Sequence, residues 1–246
     1  TVLAQEPPEG NIDEILPRKN TLIRPAVANI DQAFVMFAIT DPEPNLNLLD
    51  RFLVLMEKSQ IPVTLLFNKT DLADRETKER YIKIYEPAGY PIMFLSIYRK
   101  TGVETVQNYL EGKTTVLAGP SGVGKSSLTN LLMPKANMET GSISEKIRRG
   151  KHTTRHSELF CLRENTYLMD TPGFSSVFVE DMEPGDLKEY FPEFKPFEDQ
   201  CRFLGCDHMG ENICGVKDAA KTGSISKSRY KNYRLFYEEL KDKRRY

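Results

Sequence analysis

The chain has no apolar run approaching a membrane span, and its N-terminus lacks the basic-then-apolar layout of a secretory signal. Both absences favour a cytoplasmic location with no membrane partner. Net charge is nearly absent, −1 over 246 residues, which argues against a generally basic nucleic-acid binder but leaves room for local basic patches. Cysteine is sparse: three of the four crowd into residues 201–214, and Cys161 stands alone in an apolar stretch. In a cytosolic chain that distribution suits a metal better than disulfides. Internal repeats and low-complexity tracts are also missing. The first residue is Thr1 and not methionine, so the opening segment is treated as a fragment. What is present is 39% apolar content, enough for one main domain with smaller attachments.

Residues 11–16 alternate between Pro and Gly punctuation and read as one or two strands. From Ala33 onward apolar strands (33–39, 63–67, 92–95, 115–118, 159–162, 166–169) alternate with amphipathic helices near 46–58, 75–85, 103–110 and 125–132. This predicts an α/β fold, a mostly parallel sheet covered by helices on both faces, with ligands at the carboxyl ends of its strands. From Glu183 the chain becomes Pro-rich, enters the cysteine cluster, and closes in a basic, aromatic helix near 226–243, a separate small module.

The strand at 115–118 runs into Gly119-Pro120-Ser121-Gly122-Val123-Gly124-Lys125-Ser126, which fits GxxxxGKS with the required strand before it and a helix, opened by Ser127, after it. Such a loop wraps phosphate with inward N–H groups; Lys125 is expected to reach the β and γ phosphates and Ser126 to ligate Mg²⁺. A phosphate loop alone does not separate ATP from GTP. The strand at 63–67 ends in Asn68-Lys69-Thr70-Asp71, the pattern NKxD. The Asp71 carboxylate can accept from both N1–H and the 2-amino group of guanine, neither of which adenine has, and polar mismatches of this kind discriminate by roughly 10⁴ or more. Asn68 can bond the opposite edge of the base, and the Lys69 stem can lie over the ring. Ser96-Ile97-Tyr98 sits where GTPases place a backbone N–H against guanine O6, with Ile97 in place of the usual alanine; an ordinary loop is the alternative.

Residues 167–173 give a strand followed by Asp170-Thr171-Pro172-Gly173, a DxxG pattern. Asp170 is expected to hold Mg²⁺ through water, and the Gly173 N–H to sense the γ-phosphate. The glutamine that many GTPases carry next is lacking: Phe174 stands there and cannot orient water, so slow intrinsic turnover is expected. The segment 146–156 is the candidate source of the missing groups, with Thr153 or Thr154 as switch threonine and His152 positioning water; a solvated basic run with a structural histidine is the plainer alternative. The guanine reader precedes the phosphate loop, the reverse of the usual GTPase order. The chain is therefore read as a circular permutation, which sheets tolerate because folded termini lie close together. DxxG then leads directly toward the C-terminal module, and nucleotide state is expected to move that module.

Cys201, Cys206, His208 and Cys214 offer three thiolates and one imidazole, a set for one tetrahedral, structural Zn²⁺; a redox or chance cluster is the alternative. In the terminal helix Tyr230, Tyr233, Tyr237 and Leu240 form a packing stripe. That leaves Lys227, Arg229, Lys231, Arg234, Lys241, Lys243, Arg244 and Arg245 for other faces and RNA backbone contact.

Taken together these residues resemble the bacterial ribosome small subunit-dependent GTPase A family. The likeness also includes Arg24-Pro25 with Ala28-Asn29-Ile30-Asp31-Gln32, Asp50-Arg51-Phe52-Leu53, the whole run 119–132, Arg149-Gly150-Lys151-His152-Thr153-Thr154, Phe174 after DxxG, and Arg229-Tyr230 with Tyr233; it covers nearly the whole chain. It implies the closing strands of an incomplete OB-fold over 1–24, a circularly permuted GTPase domain over 25–180 and a zinc-binding domain over 181–246. It further implies a factor in late maturation of the small ribosomal subunit, with rRNA as partner and GTP hydrolysis stimulated by that subunit; a monomer is expected. Arg155 stands where the family often has a third threonine, which leaves Thr153 and Thr154 both open. Two other readings compete: a permuted GTPase of large-subunit assembly, and a zinc-stabilised RNA-binding protein that holds GTP as a structural ligand.

Overall fold

The computed structural model describes residues 2–4, 12–22, 26–133, 157–172 and 177–243. Its centre is a six-stranded sheet made of β5 (Gln32–Ala38), β6 (Val63–Asn68), β7 (Ile92–Phe94), β8 (Thr114–Ala118), β9 (Glu158–Arg163) and β10 (Thr166–Asp170), in the order β7-β6-β5-β8-β10-β9. All pairings are parallel except β10 with β9, an antiparallel hairpin that closes one edge. Before the sheet, β1 (Val2–Ala4) pairs with β2 (Ile12–Ile15) and β3 (Thr21–Leu22) with β4 (Val27–Ala28), both antiparallel.

Every residue of β5 is buried, as expected of a central strand covered on both faces. Alternation along it separates two cores. Ala33, Val35 and Phe37 pack with Leu49, Phe52 and Leu53 of α1 (Leu46–Lys58) and Tyr81 and Tyr85 of α2 (Arg75–Tyr85). Phe34, Met36 and Ala38 pack on the other face with Val106 and Leu110 of α3 (Val103–Leu110) and Leu128 and Leu132 of α4 (Lys125–Leu132). Side-chain caps start the first two helices: Asn45 accepts the Leu48 N–H at 3.1 Å, and Asp74 the Thr77 N–H at 2.8 Å.

After two 3₁₀ turns, Pro184–Tyr190 and Pro192–Phe194, come α5 (Lys195–Glu198), α6 (Gly215–Thr222) and α7 (Lys227–Lys243). These enclose a third core of Phe191, Phe194, Val216, Tyr233, Phe236 and Leu240, to which α1 contributes Val54. The junction with α1 is polar as well as apolar. Arg229, fully buried, donates from Nη1 to Asp50 at 2.9 Å and from Nε and Nη2 to Glu193 at 2.7 and 3.0 Å. Asn232 and Tyr85 also donate to Asp50, at 2.6 and 3.1 Å. Arg51 forks onto Glu239 at 2.9 and 2.6 Å and lies over the Phe236 ring.

This junction divides the basic residues of the terminal helix. Arg229 is spent on internal carboxylates and is not a free RNA contact, and Lys243 pairs with Glu180 at 2.7 Å. Lys227, Lys231, Arg234 and Lys241 remain exposed; Arg244 and Arg245 lie outside the described residues. Among the described residues no helix is long and apolar enough to cross a membrane.

Candidate functional site

The carboxyl ends of β6, β7, β8 and β10 meet on one edge of the sheet. The loop after β8 starts at Gly119, with φ +146°, where a Cβ would stand 2.1 Å from the Met36 carbonyl oxygen of β5; only glycine lets the loop turn that tightly over the neighbouring strand. It ends at Gly124, with φ +104°, where a Cβ would stand 2.5 Å from Asn68 Nδ2. Phosphate loop and NKTD segment are therefore in contact, and Asn68 Nδ2 donates to the Val123 carbonyl at 2.9 Å.

Asn68 is buried, and its oxygen accepts the Ile97 N–H at 3.2 Å. One amide thus joins three loops, and the Ile97 N–H, expected against guanine O6, rests on Asn68. Lys69 has φ +62°, and its ammonium donates to the Asp41 carbonyl. Thr70 begins a 3₁₀ turn that aims Asp71, whose carboxylate accepts from the Ser96 hydroxyl; that bond holds the Asp71 carboxyl below its usual range. Ser96 in turn accepts the Arg99 N–H at 3.0 Å, which fixes its rotamer.

Within the phosphate loop Lys125 is buried, and its ammonium donates only to neutral carbonyls, Gly119 at 2.9 Å and Pro120 at 2.8 Å. Burial lowers its pKa to about 8, against the pull of Asp170. Ser126 Oγ lies 3.4 Å from Asp170 Oδ2, while Asp170 Oδ1 is buried with no hydrogen-bond partner. Burial raises the Asp170 carboxyl, opposed by Lys125 and Ser126. A hydroxyl beside a half-satisfied carboxylate, with a phosphate cradle next to it, is a donor set that fits Mg²⁺ with a nucleotide. Thr171 stays out of this edge: it is fully buried and its hydroxyl ties DxxG to Leu117 at 2.8 Å. Gly173, with His152, Thr153 and Thr154, falls outside the described residues.

The second cluster sits in the C-terminal module. The ligand atoms of Cys201, Cys206, His208 and Cys214 all lie within 4.8 Å of one another. His208 Nδ1 is 3.3 Å from Cys214 Sγ and 3.6 Å from Cys201 Sγ, and the two sulfurs are 3.8 Å apart. Three soft sulfurs and an imidazole nitrogen converging on one point fit a closed tetrahedral Zn²⁺ site. The tyrosine stripe does more than pack: Tyr230 donates to the His208 carbonyl at 2.7 Å, Tyr233 to the Asp207 carbonyl at 2.6 Å, and Tyr237 to the Asp207 carboxylate at 2.8 Å.

Asp41, which anchors Lys69, and the tyrosine hydroxyls are absent from the sequence expectations. Asp41 could have been suspected, since it follows the carboxyl end of the central strand; the hydroxyl targets lie too far along the chain to be read locally.

A family profile described as RsgA GTPase matches residues 15–180. The chain is 55% identical to a protein of Agathobacter rectalis over 245 residues, all of this chain and 81% of the relative. It is 48% identical to one of Alkaliphilus metalliredigens over 246 residues, all of this chain and 84% of the relative; both are named small ribosomal subunit biogenesis GTPase RsgA. Among solved structures it resembles YjeQ from Thermotoga maritima (TM-score 0.76, 38% identity, 94% of this chain and 78% of that one). It also resembles YloQ, described as a circularly permuted GTPase (TM-score 0.77, 36% identity, 98% of this chain and 79% of that one). With its profile, its full-length relatives and its reader-before-loop order all in agreement, the chain belongs to the RsgA GTPase family.

Proposed function

We propose that this protein is a GTPase of small ribosomal subunit biogenesis, the role for which its relatives are named, that turns over slowly alone and faster on the subunit, and that contacts rRNA. The observation that carries the nucleotide part is the Asn68–Val123 bond. It joins the proposed guanine reader to the phosphate loop, 55 residues away in sequence, at one edge of the sheet.

In this proposal Asp71, oriented by Ser96, reads N1–H and the 2-amino group of guanine. Asn68 keeps one N–H for the other edge of the base, the Lys69 stem covers the ring beside Thr70, and Ile97 closes the O6 side. The backbone of Gly119, Pro120, Ser121, Gly122, Val123 and Gly124, with Ser127, wraps the phosphates, and Lys125 exchanges its carbonyl partners for phosphate oxygens. Ser126 and Asp170 would hold Mg²⁺, which neutralises charge on the β and γ phosphates when bound. His152, Thr153 or Thr154, and Gly173 are proposed for water and γ-phosphate from spacing. Phe174 leaves no residue there to orient water, which supports slow turnover without the subunit. One structural Zn²⁺ is proposed on Cys201, Cys206, His208 and Cys214. A division into OB-fold strands (1–24), permuted GTPase domain (25–180) and zinc-binding domain (181–246), a monomeric state and a cytoplasmic location complete the proposal.

GTP turnover measured with and without purified small subunits tests it. Stimulation by small but not large subunits is expected. Equal rates throughout would overturn the proposed role, and no hydrolysis under any condition would favour an RNA-binding protein that keeps GTP as a structural ligand.

A further inference from the structure

His208 is almost wholly buried and has two ring nitrogens to account for. Nδ1 faces the sulfurs of Cys201 and Cys214. Nε2 points away from them, is buried, and has no well-formed hydrogen bond, but Glu198 Oε1 stands 3.5 Å from it. An imidazole that gives one nitrogen to a metal carries its proton on the other, and a buried N–H needs an acceptor.

Glu198 is placed for that task by more than proximity. It closes the short helix α5, and its own carbonyl accepts the Cys201 N–H at 2.9 Å, so one residue holds the backbone of the first cysteine and faces the ring of the histidine. The same turn abuts the last cysteine: at Gly215, next to Cys214, a Cβ would stand 2.2 Å from the Phe197 carbonyl oxygen. Phe194 meets the His208 ring edge-on, with centroids 5.7 Å apart, which restricts its rotation. Lysines offset the added negative charge, Lys188 donating to the Cys206 carbonyl at 3.1 Å and Lys217 to the Glu211 carbonyl at 2.7 Å.

We infer that Glu198 is a positioning residue of the zinc centre: its carboxylate accepts the Nε2–H of His208, fixing the tautomer that presents Nδ1 to the metal. This rests on the zinc reading above and extends it to a residue that ligates nothing.

The experiment uses the full chain loaded with Zn²⁺ and a chromogenic chelator in excess. Glu198→Ala is expected to lose zinc to the chelator at roughly 10–100-fold lower competing concentration than the parent, whereas Glu198→Gln, which keeps an acceptor oxygen, stays within about threefold. Thermal unfolding of Glu198→Ala should fall below the parent only in the zinc-loaded state and match it after zinc is stripped, which a purely packing role would not produce. Long-range ¹H–¹⁵N spectra of the loaded parent should show His208 protonated at Nε2, a readout that does not depend on any variant folding. Unchanged zinc retention in Glu198→Ala, or a His208 ring bound through Nε2, would overturn the inference. A parent chain that takes up no zinc would overturn the zinc reading itself and this inference with it.

Discussion

Two regions of this molecule bury charge to a similar degree and answer it differently. At the phosphate loop Lys125 meets only neutral carbonyls and Asp170 keeps one oxygen with no hydrogen-bond partner. At the junction of α1 and α7, Arg229 is enclosed by two carboxylates, and Asn232 and Tyr85 occupy further lone pairs of Asp50. A buried charge costs several kcal/mol unless something compensates it. At the junction the compensation is complete within the fold; at the phosphate loop it is partial, as the proposed binding of a triphosphate and its metal at that edge requires.

The comparison breaks most visibly at Arg229. Arg229→Met leaves Asp50 and Glu193 buried without their cation and is expected to lower stability by about 3–5 kcal/mol in urea unfolding. Arg229→Lys keeps the charge but not the fork and should recover part of it. At the other region the pattern reverses. Lys125→Met should reduce GTP turnover by about 10²–10³-fold while lowering the melting temperature far less than Arg229→Met, because the ammonium hydrogen-bonds only neutral carbonyls and burial penalises its charge, with Asp170 offsetting part of that penalty. A melting temperature that dropped as far as that of Arg229→Met would erase the distinction.

A milder test is Arg51, whose fork onto Glu239 is partly solvated. Arg51→Ala should cost about 1 kcal/mol, and a double-mutant cycle with Glu239→Ala measures how much of that is the pair.

The smallest effect is in protons. Lys125 has a folded pKa of about 8 against an ordinary 10.5, so the folded, nucleotide-free chain binds fewer protons than the unfolded one between those values. The penalty is fully present below pH 8 and fades as pH rises toward 10.5, so this group makes stability rise across that window. Phosphates beside the ammonium raise its pKa again. GDP binding near pH 8.5 should therefore take up a fraction of a proton, as read by calorimetry in buffers of different ionisation enthalpy, and Lys125→Met should abolish that uptake.

The convergence of the NKTD, phosphate-loop and DxxG motifs at one edge was legible because its parts are local: each motif follows a continuous apolar strand, and a parallel sheet brings strand ends together whatever their order in the chain. The permuted order, the helices on both faces and the gathering of Cys201, Cys206, His208 and Cys214 follow from the same short-range patterns. The junction was not legible. Arg229 and Asp50 are 179 residues apart, and in sequence Arg229 looks like Lys227 or Lys231, one more cation on a basic helix. The tyrosines read correctly as a packing stripe, but only the folded chain shows their hydroxyls reaching Asp207 and His208 of the Cys/His loop.

Helix α7 holds the Cys/His loop through Tyr230, Tyr233 and Tyr237, and it grips α1 through Arg229, Asn232 and Glu239. Mechanically it is a bracket bolted at both flanges. A displacement of the C-terminal module would therefore pull on α1, and ahead of α1 lies Asp41, whose carbonyl accepts from Lys69 of the NKTD segment. A pull on the Cys/His end of the module would thus reach the NKTD segment from behind, along a route separate from the DxxG loop.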